Sequence, residues 1–106
     1  MKIDETKTGR LKVDPARNRQ LREQSDELAI AALGYLAADE ERLERLVALT
    51  GLRPGDLRRQ AAEPGFLASI LDHIASDERL LLAFAADAGV KPEAVARARL
   101  YYEHGA

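Results

Sequence analysis

A helix-ending glycine followed three residues later by a proline occurs twice in this chain, and the spacing of the two copies constrains the fold most. The first is Leu49-Thr50-Gly51-Leu52-Arg53-Pro54 and the second Asp87-Ala88-Gly89-Val90-Lys91-Pro92, an offset of 38 residues. Glycine supplies the left-handed conformation that closes a helix, and proline suits the first position of the next one. Each stretch therefore reads as a helix, a sharp turn and a second helix. The same offset aligns Leu33 with Leu71, Ala37 with Ala75, Asp39-Glu40 with Asp77-Glu78, Leu43 with Leu81, Ala48 with Ala86 and Arg59 with Arg97. It also aligns the apolar pairs Leu28/Phe66, Leu36/Ile74, Leu46/Phe84, Leu52/Val90 and Leu57/Val95. We read two copies of a three-helix unit, at about 28–61 and 66–100. A solenoid wants ~3 or more repeats, so these two should share one core.

The chain is rich in Ala, Leu, Glu and Arg and poor in β-branched and aromatic residues, the composition of helices. The expectation is an all-α fold, a compact bundle of five or six short helices forming a single domain over residues 15–106. Residues 1–14 have no sustained apolar period and read as a flexible basic arm. Charge follows this division. The first 25 residues hold seven basic and four acidic side chains, and the remainder nine and fourteen. There is no cysteine, which excludes disulfides and thiolate metal sites. No apolar run approaches the ~18 residues of a membrane span, and the start lacks the basic-then-apolar pattern of a signal peptide. A cytoplasmic protein without membrane contact is expected.

Asp14-Pro15 is a helix-start signal, giving a polar helix through Arg17, Arg19 and Arg22; Ser25 or Asp26 can equally cap the first packed helix. From Leu28 the apolar stripe is Leu28, Ala31, Ala32, Tyr35 and Leu36. Asp39 reads as the next cap, ahead of a stripe of Leu43, Leu46, Val47 and Thr50. A short helix carrying Leu57 then runs out before Pro64-Gly65. In the second copy Leu81, Phe84, Ala85 and Ala88 are expected to face the core.

The order and spacing of Ala32-Leu33, Leu36-Ala37, Leu49-Thr50-Gly51-Leu52, Pro54, Leu57-Arg58, Pro64-Gly65-Phe66-Leu67, Leu71-Asp72, Asp77-Glu78 and the Phe84 helix resemble a small bacterial family of unknown function. That family is a short all-helical domain found mainly in alphaproteobacteria. The resemblance covers about residues 28–100. It implies a helical fold and a bacterial setting, and no mechanism.

The catalytic inventory is thin. The histidines are His73 and His104 and the serines Ser25, Ser69 and Ser76, with no nucleophile elbow, phosphate-binding glycine loop or zinc-protease motif around them. Asp72 and His73 with Asp77 form the one polar cluster of note. Neighbours on a helix point about 100° apart, so these groups do not converge from one helix. His73 aligns with Tyr35, which favours a packing role. No catalytic, cofactor or metal residue is assigned, and an enzyme is not expected.

Two binding readings remain. Around Gly89, the residues Ala85, Val90 and Val95 fit helix-turn-helix spacing, and Lys91, Arg97 and Arg99 would then face nucleic acid. A phosphate footprint usually needs ~6–10 basic contacts, and the acidic body here does not supply them. The favoured reading is a protein-interaction or adaptor module, with an unknown protein partner or self-association. Where copy one has Arg42 and Glu44, on positions that look at solvent, copy two has Leu80 and Leu82. Leu82 lies roughly 130° from the core stripe at ~100° per residue. Leu80, Leu82, Tyr101 and Tyr102 are thus the candidate apolar patch, unless the C-terminal helix, with Leu100, Tyr101 and Tyr102, or the Arg17–Arg22 helix covers the two leucines.

Overall fold

A computed structural model of the chain describes residues 15–104, apart from the side chains of Pro54 and Pro64. The expected arm over residues 1–14 lies outside the described residues. Within them the elements are α1 (Pro15–Ala37), α2 (Glu40–Thr50), a 3-10 turn (Pro54–Asp56), α3 (Leu57–Gln60), α4 (Pro64–Ala75), α5 (Glu78–Ala88) and α6 (Pro92–His104), with no strand. The fold is all-α, as the composition requires.

Local chemistry sets the boundaries. Asp39 caps α2 by accepting the Arg42 N–H at 3.0 Å, and Asp77 caps α5 by accepting those of Arg79 and Leu80 at 3.0 and 3.3 Å. Glu40, Glu41 and Glu78 follow in the first turns, where the helix dipole favours negative charge. Gly51 and Gly89 close those helices at φ of 75° and 71°. The Gly51 N–H donates to the Val47 carbonyl at 2.8 Å, and the Val90 N–H to that of Ala85 at 3.0 Å, satisfying carbonyls the helix ends leave open. Pro64 opens α4.

Helices α1, α4 and α6 pack pairwise against one another, α5 lies on all three, and α2 rests on α1. The core is built from Ala29, Ala32, Leu33 and Leu36 of α1, Leu46 of α2, Leu67, Ile70, Leu71 and Ile74 of α4, Phe84 of α5, and Val95 and Ala98 of α6. Helix α4 contributes most, one stripe at i, i+3, i+4 and i+7, each residue worth ~1.5–3 kcal/mol on burial. Boundaries and burial both recur at the offset seen in the sequence: Ala37/Ala75 end helices, Asp39/Asp77 cap, and Gly51/Gly89 close. Leu33/Leu71, Leu36/Ile74 and Leu46/Phe84 are buried, and Leu28/Phe66 and Leu43/Leu81 are partly buried. The third helices differ, α3 ending after one turn and α6 after more than three.

Several expectations need correction. Neither Ser25 nor Asp26 is a cap, because α1 runs unbroken from Pro15 through both. The α1 stripe is rotated towards Ser25, Ala29, Ala32, Leu33 and Leu36, which leaves Ala31 exposed. Thr50 and Ala88, both expected to face the core, are exposed at the last turns of their helices. The Thr50 hydroxyl donates instead to the Leu46 carbonyl at 2.7 Å.

A Cβ built at Gly51, Gly89 or Gly34 meets nothing within 4 Å, so substitution there tests backbone conformation alone. Gly51→Ala and Gly89→Ala should each cost about 1–2 kcal/mol, the penalty of a left-handed L-residue. Gly34→Ala, inside α1, should instead stabilise by up to about 1 kcal/mol. Urea denaturation of the three variants checks the opposite signs.

Candidate functional site

The side chains singled out by sequence are spread over different parts of the bundle. Leu80 is partly buried and packs on the core, whereas Leu82 is 49% exposed. Tyr102 also packs on the core, and its hydroxyl donates to Asp26 Oδ1 of α1 at 2.6 Å. Tyr101 is half-buried and edge-on to Tyr102, with ring centroids 5.5 Å apart. Burial and, next, the bond to Asp26 push the Tyr102 phenol well above its ordinary pKa, so it stays a neutral donor. The Tyr102–Asp26 bond ties the end of α6 to the middle of α1. Removing it with Tyr102→Phe should cost about 1–2 kcal/mol, less than a fully buried charged bond because both groups are only partly buried. A thermal double-mutant cycle with Asp26→Asn should show the two losses to be non-additive.

Arg42 lies where copy two has Leu80. The sequence places it on a solvated face. Instead it is half-buried, its guanidinium 4.0 Å from the centroid of Tyr35 and its Nε 3.4 Å from the Tyr35 carbonyl oxygen. Tyr35 in turn meets Phe84 at 5.7 Å between centroids. A cation over an aromatic ring contributes ~0.5–1 kcal/mol when partly exposed. A cation thus covers the half-polar ring of Tyr35, while 38 residues further on the chain has Leu80 and His73 in place of Arg42 and Tyr35.

His73 is half-buried, and burial, then Arg45, lower its pKa from 6.5 against an opposing effect of Asp77. Protonation is therefore harder in the folded state than in the unfolded chain. The stability His73 contributes is complete above 6.5 and is lost as pH falls through its lowered value. Thermal melts from about pH 7.5 to about pH 5.5 should show a decline that is shallower in His73→Gln.

The basic residues of the alternative reading are placed as follows. Lys91 is exposed in the turn before α6. Arg97 is exposed and makes no hydrogen bond or ion pair among the described residues. The Arg99 Nε donates to Asp72 Oδ1 of α4 at 2.9 Å, so this cation is matched by a carboxylate.

Beside that ion pair runs a groove of about 460 Å³ between α4 and α6, lined by Ala68, Ala96 and Tyr102 together with Asp72, Arg99, Leu100 and Glu103. Leu100 is 54% exposed. The sequence offers it as a cover for Leu80 and Leu82, yet it points the other way. On α6 the buried stripe is Val95, Ala98 and Tyr102, and Leu100 lies roughly 170° from its centre at ~100° per residue. The signal is present in the sequence, in the spacing of those three residues. A smaller groove of about 210 Å³ flanks the other side of α6, against α1.

Among the described residues no group of three or more His, Cys, Asp or Glu side chains is arranged to hold a metal ion. No described helix is long and apolar enough to cross a membrane. The family described as "Protein of unknown function (DUF3572)" matches residues 22–104, and the chain belongs to it. The match takes in both partners of the Asp26–Tyr102 bond. No curated protein sequence and no solved structure matches the chain significantly.

Proposed function

We propose that this member of the DUF3572 family is a non-catalytic interaction module that self-associates through the face made by α4 and α6. The observation that carries the reading is the juxtaposition of Leu100 with the alanine-lined groove. A protruding leucine and a shallow recess side by side are what an isologous contact needs, each copy's leucine entering the other's groove. The rim charges suit the same operation: Asp72 and Glu103 of one copy can face Arg99 of the other.

A non-catalytic role is supported by how the carboxylates are used. Asp39 and Asp77 are helix caps, Asp26 holds Tyr102, Asp72 holds Arg99, and Asp56 holds Arg59 at 2.8 Å. Nucleic-acid binding is the weaker reading, since Arg99 faces Asp72 and α6 buries its inner side between α1 and α4. A cytoplasmic setting in an alphaproteobacterium belongs to the same proposal, supported by the family resemblance and the lack of cysteine. So does the origin of the two halves by duplication, supported by their shared boundaries.

Size sets the expected strength. At 1.5 Å per residue α6 is about 20 Å long, and two helices ~10 Å apart present a face on the order of 400 Å². Stable complexes bury about 800 Å² per partner, so the dimer should be weak. Sedimentation equilibrium at up to hundreds of micromolar should show a concentration-dependent dimer. Leu100→Glu should remove it while leaving the melting temperature and helical circular dichroism unchanged. A monomer throughout that range, or an undiminished Leu100→Glu dimer, would overturn the proposal.

A further inference from the structure

The second groove, between α1 and α6, has a different character. Its walls are Leu21 and Leu28 of α1 and Val90, Ala94 and Ala98 beside and on α6, and the polar Gln24, Ser25 and Arg97 lie among them. Ser25 is the one buried polar side chain among the described residues, at 5% exposure. The other described hydroxyls on serine and threonine each donate to a carbonyl of their own helix or its last turn at 2.7 Å, Thr50 to Leu46, Ser69 to Phe66 and Ser76 to His73. The Ser25 hydroxyl makes no hydrogen bond among the described residues. A buried hydroxyl left unpaired is costly, and a helical serine has an easy remedy in the carbonyl one turn back. The groove is where Ser25 can find a partner.

Arg97 completes the set. It is the one charged residue of the lining, and no carboxylate is paired with it. Guanidinium groups favour planar anions that accept two parallel hydrogen bonds. Mostly aliphatic walls, a single cation, one unpaired hydroxyl and the neutral Gln24 carboxamide suit a ligand with a short apolar chain and a single negative charge. The volume is below the ~300 Å³ at which drug-sized pockets begin, which limits the chain to a few carbons.

We propose that this groove binds a short-chain monocarboxylate, its carboxylate held by Arg97 and the Ser25 hydroxyl and its tail against Leu21, Leu28, Val90 and Ala94. The site lies on the flank of α6 turned to α1, in a groove separate from the alanine-lined one against α4.

The test is a two-dimensional amide NMR titration of the full chain with hexanoate, set beside hexanol and hexylamine. Hexanoate should give saturable shifts confined to residues 21–28 and 90–98, with hexanol weaker and hexylamine inactive. Arg97→Gln should weaken hexanoate binding about tenfold, as loss of a charge-assisted pair does. Ser25→Ala should weaken it several-fold, yet raise the melting temperature of the ligand-free protein, because it deletes an unpaired buried hydroxyl. No saturable shift at millimolar hexanoate would overturn the proposal. So would equal binding of hexylamine, or a lowered melting temperature in Ser25→Ala, which would show that the hydroxyl is already satisfied within the fold.

Discussion

Helix α4 fixes this structure by burying Leu67, Ile70, Leu71 and Ile74 along one stripe. Both α1 and α6 lean on that stripe and on each other, and α5 closes over the three. Polar contacts then refine the geometry that burial imposes. The Asp26–Tyr102 bond sets how far α6 runs along α1, and the Arg99–Asp72 pair spans α6 and α4. The order of importance follows from magnitudes. Four buried aliphatic residues contribute several times the ~0–1 kcal/mol of an exposed ion pair.

Much of this is legible in the chain. The caps at Asp39 and Asp77 and the left-handed glycines are local events, decided by residues adjacent in sequence. The pairing of buried positions across the offset is legible for the same reason, since helical period and cap position together set which residues face inward. The exposure of Leu82 also follows from the period alone. What the local pattern misses is long-range. The α1 stripe looks centred near Ala31 because Leu28 and Tyr35 are large, yet close approach of α4 and α6 selects the small residues Ser25, Ala29 and Ala32. No single-helix pattern reveals which side its neighbours will take.

The candidate surface shows the same limit. Leu80 and Tyr102 look available because nothing local covers them, and both pack on the core of the assembled bundle. Arg42 looks solvated because arginine usually is, and its planar head instead lies over the Tyr35 ring. Local pattern offers Ser25 only as a cap. Its burial depends on α6 arriving against α1 from far along the chain, as the 76-residue span of the Asp26–Tyr102 bond shows.

Both grooves trace to one difference between the halves. Shifted by the common offset, Tyr102 of α6 falls on Pro64, the first residue of α4. Helix α3 ends at Gln60, where the chain turns to supply the central helix of the bundle, α4. Helix α6 instead continues past the residue at the same offset, Ala98, to His104 and inserts between α1 and α4. A helix lodged between two others leaves a furrow along each flank, and its outward residues become the lips. The flank towards α4 carries Ala96 and Leu100, and the flank towards α1 carries Ala94 and Arg97. The residues 38 positions earlier are Arg58 and Ala62, then Asp56 and Arg59, on a turn too short to border a furrow. The two furrows proposed as binding surfaces therefore exist because α6, unlike α3, runs on between α1 and α4.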